Sequence, residues 1–332
     1  MKRLYIILSA LLPVQWLLYN YVFSTKWVEH VYSQRIYVGI RKSLDWLTNW
    51  TSLPIGQTLL VLLLVLLAYL FVSYWRGTRN KSVRARTLGL FLRITAVISV
   101  IYFFFIWLWG LNNFRQPVED QYGINVVEFS IDDLKQYAAY TIVEVNELKS
   151  GSFQTNDSID GVKHPFLPRL MSYMGVSGIY SPFTGEPFVN NHRPKTTYAM
   201  TAYHELAHEQ GYASERDANY IGYRSCMNSK KKSDQYSGAL MAMRYSLHAL
   251  QSVDSIAFQE VSGLIEPAVN EDIEEIRAYN DQHGGILGKI GDVSNNLFLY
   301  LNGQEGRESY SQVLHLLVSD YLAEKDGKKD QQ

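Results

Sequence analysis

His204-Glu205-Leu206-Ala207-His208 sets two imidazoles four positions apart, with a carboxylate directly after the first. On a helix these histidines project from one face a turn apart, so a nitrogen of each reaches a single Zn2+ at about 2.0–2.1 Å. Glu205 lies beside that face. Its carboxylate can take a proton from a water activated by the ion, which is the general-base step of peptide hydrolysis. Residues 196–210 contain neither Gly nor Pro, and a helix is expected there.

The residues just past the motif decide whether the site is complete. Gly211 stands three residues past His208, where a left-handed glycine ends a helix. Ser214 then reads as the N-cap of a second helix beginning near Glu215. Such a reversal brings acidic side chains back to the metal. A catalytic zinc site takes three protein ligands and keeps one open position, and the nearby acids are Glu209, Glu215 and Asp217. Glu209 adjoins His208 and points off the metal face. Glu215 is the expected third ligand; Asp217 is the alternative, or else the acceptor for the free ring N–H of a ligating histidine.

Substrate needs a surface as well as an ion. Residues 178–191 read as a hairpin with its turn at Thr184-Gly185-Glu186. Gly178, Ile179 and Tyr180 are candidates for an edge strand that pairs with an extended peptide, although an ordinary sheet hairpin explains the pattern equally well. Tyr310, His315 and Tyr300 are weak candidates for stabilising the developing oxyanion. With 24 Tyr in the chain, a given tyrosine more often packs a core, and His315 sits between two leucines.

The elements that must hold these residues begin with the membrane. Residues 4–23, 55–75 and 88–109 are apolar runs of about 20 residues, the length of a transmembrane helix. Lys2 and Arg3 precede the first, which lacks a small-x-small cleavage site and reads as a retained anchor. Arg76, Arg79, Lys81, Arg84 and Arg86 crowd the connection between the second and third with no acid. That connection is expected in the cytoplasm, which puts everything after Gly110 outside. Residues 27–50, aromatic and weakly amphipathic, either lie along the membrane surface or pack on the catalytic domain.

The rest reads as one domain. Ser130 caps a helix reaching to about Glu147, and further helices are expected near 238–260, 270–282, 292–301 and 310–325. A formal net charge of −1 argues against broad nucleic-acid binding, and the lone Cys226 forms no internal disulfide. The expected division is a membrane region at 1–110, an extracytoplasmic domain at 111–325 and a flexible tail at 326–332.

Taken together, the three spans, Gly178-Ile-Tyr-Ser-Pro-Phe-Thr-Gly-Glu, His204-Glu-Leu-Ala-His-Glu-Gln-Gly with Glu215 and Ala218-Asn219, and Asn302-Gly-Gln with Ser309-Tyr310 resemble a bacterial membrane family. That family is catalogued as a domain of unknown function (number 3810) and regarded as zincin-like metallopeptidases. The resemblance covers nearly the whole chain. It implies a membrane-anchored zinc hydrolase with His204 and His208 as ligands and Glu205 as base. Glu215-x-x-Ala218-Asn219 is also similar to the Glu-x-x-Ala-Asp element of membrane-bound gluzincin peptidases, where the Glu is a ligand. Here Asn219 replaces the Asp, weakening any bond it makes behind a ligand, and the gap from His208 is shorter. Ser214 stands where a metzincin has its third His.

The expected architecture is α+β, predominantly α: three transmembrane helices and a zincin-like metallopeptidase domain with one Zn2+ acting on a peptide or protein substrate. The alternative is a non-catalytic, zinc-containing peptide receptor or assembly factor at the membrane. Oligomeric state is not legible in the sequence.

Overall fold

Three helices are long and apolar enough to cross a membrane, at Arg3–Tyr21, Ile55–Gly77 and Val83–Leu108. The structure, a computed structural model, describes residues 2–151, 158–302 and 309–329. The chain divides into two units, Met1–Gln116 with Ser181–Glu186, and Pro117–Tyr180 with Pro187–Gln332. The long stretch of the first unit ends at Gln116, and the hairpin turn groups with it.

In the first unit, α1 (Lys2–Tyr21), α2 (Thr25–Trp27) and a π-helical stretch (Val28–Ile36) lead into α3 (Tyr37–Thr48), α4 (Ile55–Gly77) and α5 (Val83–Leu108). The third apolar helix starts five residues earlier than its hydrophobicity indicates, because Ser82 Oγ caps it by accepting from the Ala85 N–H. α1 packs along α5, joined by Thr95 Oγ1 to Ser9 Oγ at 2.7 Å. Residues 27–50 form a nearly continuous helical run. Glu29 in this run is buried, its carboxylate held by Arg115 Nε at 2.9 Å, and a buried carboxylate needs such a partner. The hairpin turn is fixed in the same unit. Glu186, fully buried, accepts from the Ile55 and Gly56 N–H groups at 3.0 and 2.5 Å. Gly185, at φ +72°, leaves no room for a side chain, since a Cβ there would stand 2.9 Å from Leu44 Cβ.

The second unit holds α6 (Val118–Tyr122), α7 (Ile131–Ser150), α8 (Pro168–Tyr173), most of β1 (Gly178–Ser181) and β2 (Glu186–Val189), α9 (Tyr198–Glu209), α10 (Glu215–Met227), α11 (Lys232–Val253), α12 (Ser255–Ser262), α13 (Pro267–His283), α14 (Ile286–Leu301) and α15 (Ser309–Lys329). The fold is predominantly helical. Among the described residues the only sheet is the two-stranded β1–β2 hairpin, so the β share of the expected α+β fold is small. Ser130 caps α7 in a reciprocal box with Asp133. The single helix expected at 238–260 is two, because the Asp254 carboxylate accepts from the Ile256 and Ala257 N–H groups and starts α12 afresh. α15 continues to Lys329, through residues 326–329 of the expected tail.

α7, α10 and α15 pack around α11, burying Ile142, Tyr236, Leu240 and Met243 almost completely. Glu144 on α7 is half-buried beside this packing. Burial pushes its carboxyl up to about 7, helped by Glu324 and Glu147 and opposed by the Tyr140 hydroxyl that donates to it. The folded chain therefore holds a proton there that the unfolded chain releases near 4.5, and stability falls as pH rises through that window. Glu144→Gln is expected to stabilise the protein by about 1–3 kcal/mol at pH 8 and to change little at pH 4. Thermal unfolding at the two pH values checks this; an equal shift at both would remove the charge as the cause.

Candidate metal centre

Pro194 opens a short 3-10 turn (Lys195–Thr197) that feeds α9, the helix of His204, Glu205 and His208. It is two residues shorter than expected at its start. Gly211, at φ +87°, ends it, the Tyr212 N–H returning to the Ala207 carbonyl as in a left-handed cap. The same reversal places the Tyr212 carbonyl to accept from His208 Nδ1 at 2.7 Å. That bond fixes the ring and turns Nε2 toward His204 and Glu215. Ser214 Oγ caps α10, accepting from the Asp217 N–H, and Glu215 is the first residue of that helix.

The three side chains converge. His204 Nε2 and His208 Nε2 lie 3.1 Å apart, and the Glu215 carboxylate oxygens stand 3.4 Å from the first and 3.6 Å from the second. A tetrahedral ion with bonds of 2.0–2.1 Å spaces its ligands by about 3.3–3.4 Å; the donor set suits such an ion in type, with one atom from each residue lying within 4.8 Å of the others. Among the described residues, this is the group of three or more His, Cys, Asp or Glu able to hold a metal ion.

Electrostatics bind the group together. Burial alone would raise the Glu215 carboxyl, but hydrogen bonds and charge from His204 and His208 hold it well below the usual range. Burial would likewise lower His208, yet Glu215 chiefly drives it up to about 9. Glu205 behaves in the opposite way: burial pushes its carboxyl up to about 7 against the pull of both histidines. Its Oε2 is buried without a hydrogen-bond partner, as is His204 Nδ1. An orphaned buried oxygen beside three converging donors is what a bound ion and its solvent would satisfy.

Two close approaches set this geometry. A Cβ at Gly222 would stand 3.1 Å from His204 N and 2.9 Å from Met200 Cε, so α10 lies against α9 at the ligand itself. Gly222 is seven residues after Glu215, on the same helix face, a spacing that marks it in the sequence. A Cβ at Gly178 would stand 2.7 Å from Glu205 Cγ, which puts β1 directly over the carboxylate. The Asn190 N–H donates to the Ser177 carbonyl and the Gly185 N–H to Ser181. Alternation in an antiparallel pair then turns the Gly178 N–H and carbonyl away from β2. Ile179 is exposed and Tyr180 buried.

The remaining sequence candidates fall elsewhere. Asp217 is engaged by Arg216 Nε at 2.9 Å, and Arg216 also grips Glu119 with both terminal nitrogens at 2.9 and 2.7 Å. This clamp on the start of α10, with the Tyr212 carbonyl, takes the orienting part considered for Asp217. Glu209 and half-buried Asn219 stand outside the cluster. His315 packs its ring on Phe129, 4.7 Å between centroids, and Tyr300 is exposed on α14. The side chain of Tyr310 lies outside the described residues.

A family model described as a protein of unknown function (DUF3810) matches residues 32–157 and 150–318. The chain belongs to this family. The second matched stretch contains His204, Glu205, His208, Glu215, Gly178 and Gly222, so the whole centre lies within what defines DUF3810. No curated protein and no solved structure matches the chain.

Proposed function

We propose that this chain is a membrane-anchored zinc metallopeptidase with a zincin-like domain. The observation that carries the reading is the convergence of His204, His208 and Glu215 beside a buried Glu205 oxygen that has no partner. Two histidines and a carboxylate suit Zn2+, with an open fourth position. Bound there, the ion supplies a Lewis acid that polarises the scissile carbonyl and acidifies the attacking water.

The chain's own groups do the rest. Glu205 takes the proton from the attacking water at Oε2 and delivers it to the leaving nitrogen. The outward backbone groups of Gly178 are suited to pairing with an extended peptide, holding it over Glu205. The basic connection from Arg76 to Arg86 faces the cytoplasm by its charge, which sets the site on the outer side of the inner membrane.

Gly178→Ala is expected to keep the fold and the metal while lowering kcat about 100-fold, because the new methyl group displaces Glu205 by roughly 1 Å. Metal content and single-turnover rate, measured together, check it; a native rate would remove β1 from the site.

The reading is tested on the full-length chain in nanodiscs by metal analysis and by mass spectrometry of a digested peptide library. One zinc per chain, with cleavage abolished by a chelator and restored by Zn2+, is the expected result. Zinc without cleavage of any peptide would favour a peptide-binding receptor, and no bound metal would overturn both.

A further inference from the structure

α14 presents an apolar strip to solvent. Ile286, Ile290, Val293, Leu297 and Tyr300 recur at helical spacing and are 78, 54, 67, 56 and 77% exposed, which is the reverse of a helix serving a soluble core. The opposite face is the packed one. Leu299 is buried, and Cβ atoms built at Gly288 and Gly291 would stand 3.6 Å from the Tyr173 carbonyl oxygen and 3.2 Å from the Met174 carbonyl carbon. Two glycines thus seat α14 against the end of α8, whose own Leu170 and Tyr173 are exposed.

A basic cluster adjoins this apolar surface. Tyr173 meets His283, 5.0 Å between centroids, and His283 meets His192 edge-on at 5.3 Å. His192 is hydrogen-bonded to Ser172 of α8 at 3.3 Å; burial, with His283 and Arg169, lowers its pKa, so the cations of the cluster are the guanidinium groups of Arg169 and Arg193. Arg193 lies over the Tyr279 ring at 5.1 Å. Guanidinium groups beside exposed apolar side chains suit an interface that is anionic on one side and hydrocarbon on the other.

Chain connectivity favours a bilayer as the occupant. Only residues 109–116 separate the last apolar helix from Pro117, where the second unit begins. Nine residue steps span at most about 30 Å, so a membrane surface is always within reach and at high effective concentration.

We propose that the α8–α14 face is a membrane-docking surface, its apolar strip laid into the interface of a bilayer containing anionic phospholipid and its basic cluster set against the headgroups. The strip would then hold one face of the unit toward lipid. This assignment does not depend on the peptidase reading.

The test uses the full-length chain in nanodiscs. Cys226 is fully buried, so single cysteines introduced as Ile290→Cys, Val293→Cys and, as a control on α13, Glu271→Cys accept a polarity-sensitive fluorophore selectively. In discs containing phosphatidylglycerol, blue-shifted emission quenched by doxyl-labelled lipid at 290 and 293, and neither effect at 271, is the expected result. Arg169→Gln should weaken docking about fivefold, read as a higher phosphatidylglycerol fraction at half-maximal quenching. Blue-shifted emission without lipid quenching would assign the strip to a protein cover, including a second copy, and overturn the proposal. Solvent-like emission at 290 and 293 would overturn it equally.

Discussion

Glu205→Gln is expected to abolish peptide hydrolysis while the metal stays bound. Glutamine has the same shape and is neutral, and the site already favours a neutral group, since burial pushes the Glu205 carboxyl up to about 7. Folding therefore loses little by the change. What goes is the oxygen that accepts a proton: a buried amide neither takes one from the attacking water nor hands one to the leaving nitrogen. Loss of a positioned general acid–base group costs about 100- to 10,000-fold, and in the proposed mechanism Glu205 serves both transfers, so the upper end is expected. Steady-state kcat with metal content by mass spectrometry decides it. A variant that held zinc and cleaved at the native rate would remove Glu205 from the chemistry.

The second large effect is expected at Glu215. Glu215→Ala takes away one of the three proposed ligands and also the anion that raises His208. Two histidines 3.1 Å apart then remain, with nothing to close the coordination. Zinc affinity should fall by about a thousandfold or more, and activity with it. Asp217→Asn is the companion measurement. Its carboxylate faces Arg216, so this variant should retain stoichiometric zinc and lose only some of the hold on the start of α10. Competition with a zinc chelator of known affinity reads both. Metal retained in Glu215→Ala and lost in Asp217→Asn would exchange the two assignments.

Features written in local chemistry were legible in the sequence. Gly211 and Ser214 bracket the reversal between α9 and α10 because glycine tolerates a positive φ and serine caps a helix, whatever surrounds them. Ser130 and the hairpin of 178–191 were readable for the same reason, and the three apolar helices from length and composition alone. Features made by distant partners were not. Glu29 is buried because Arg115, 86 positions on, reaches it. Arg216 clamps α10 because Glu119, 97 positions back, lies opposite. Gly178 reads as an unremarkable strand residue until Glu205 is seen beneath it. The break at Asp254 is an intermediate case, a capping residue inside a run whose apolar period continues undisturbed across it.

The chain passes between its two units three times, after Gln116, Tyr180 and Glu186, and this limits how the protein can be taken apart. A fragment beginning at Pro117 would carry the turn of 181–186 without Leu44, Ile55 and Gly56. The Glu186 carboxylate, wholly enclosed in the intact chain, would then lose both amide donors. A protease nick near residue 116 should for the same reason leave the two pieces associated, migrating together until denaturant is added. The turn that joins β1 to β2 is thus anchored on the amino end of an apolar helix.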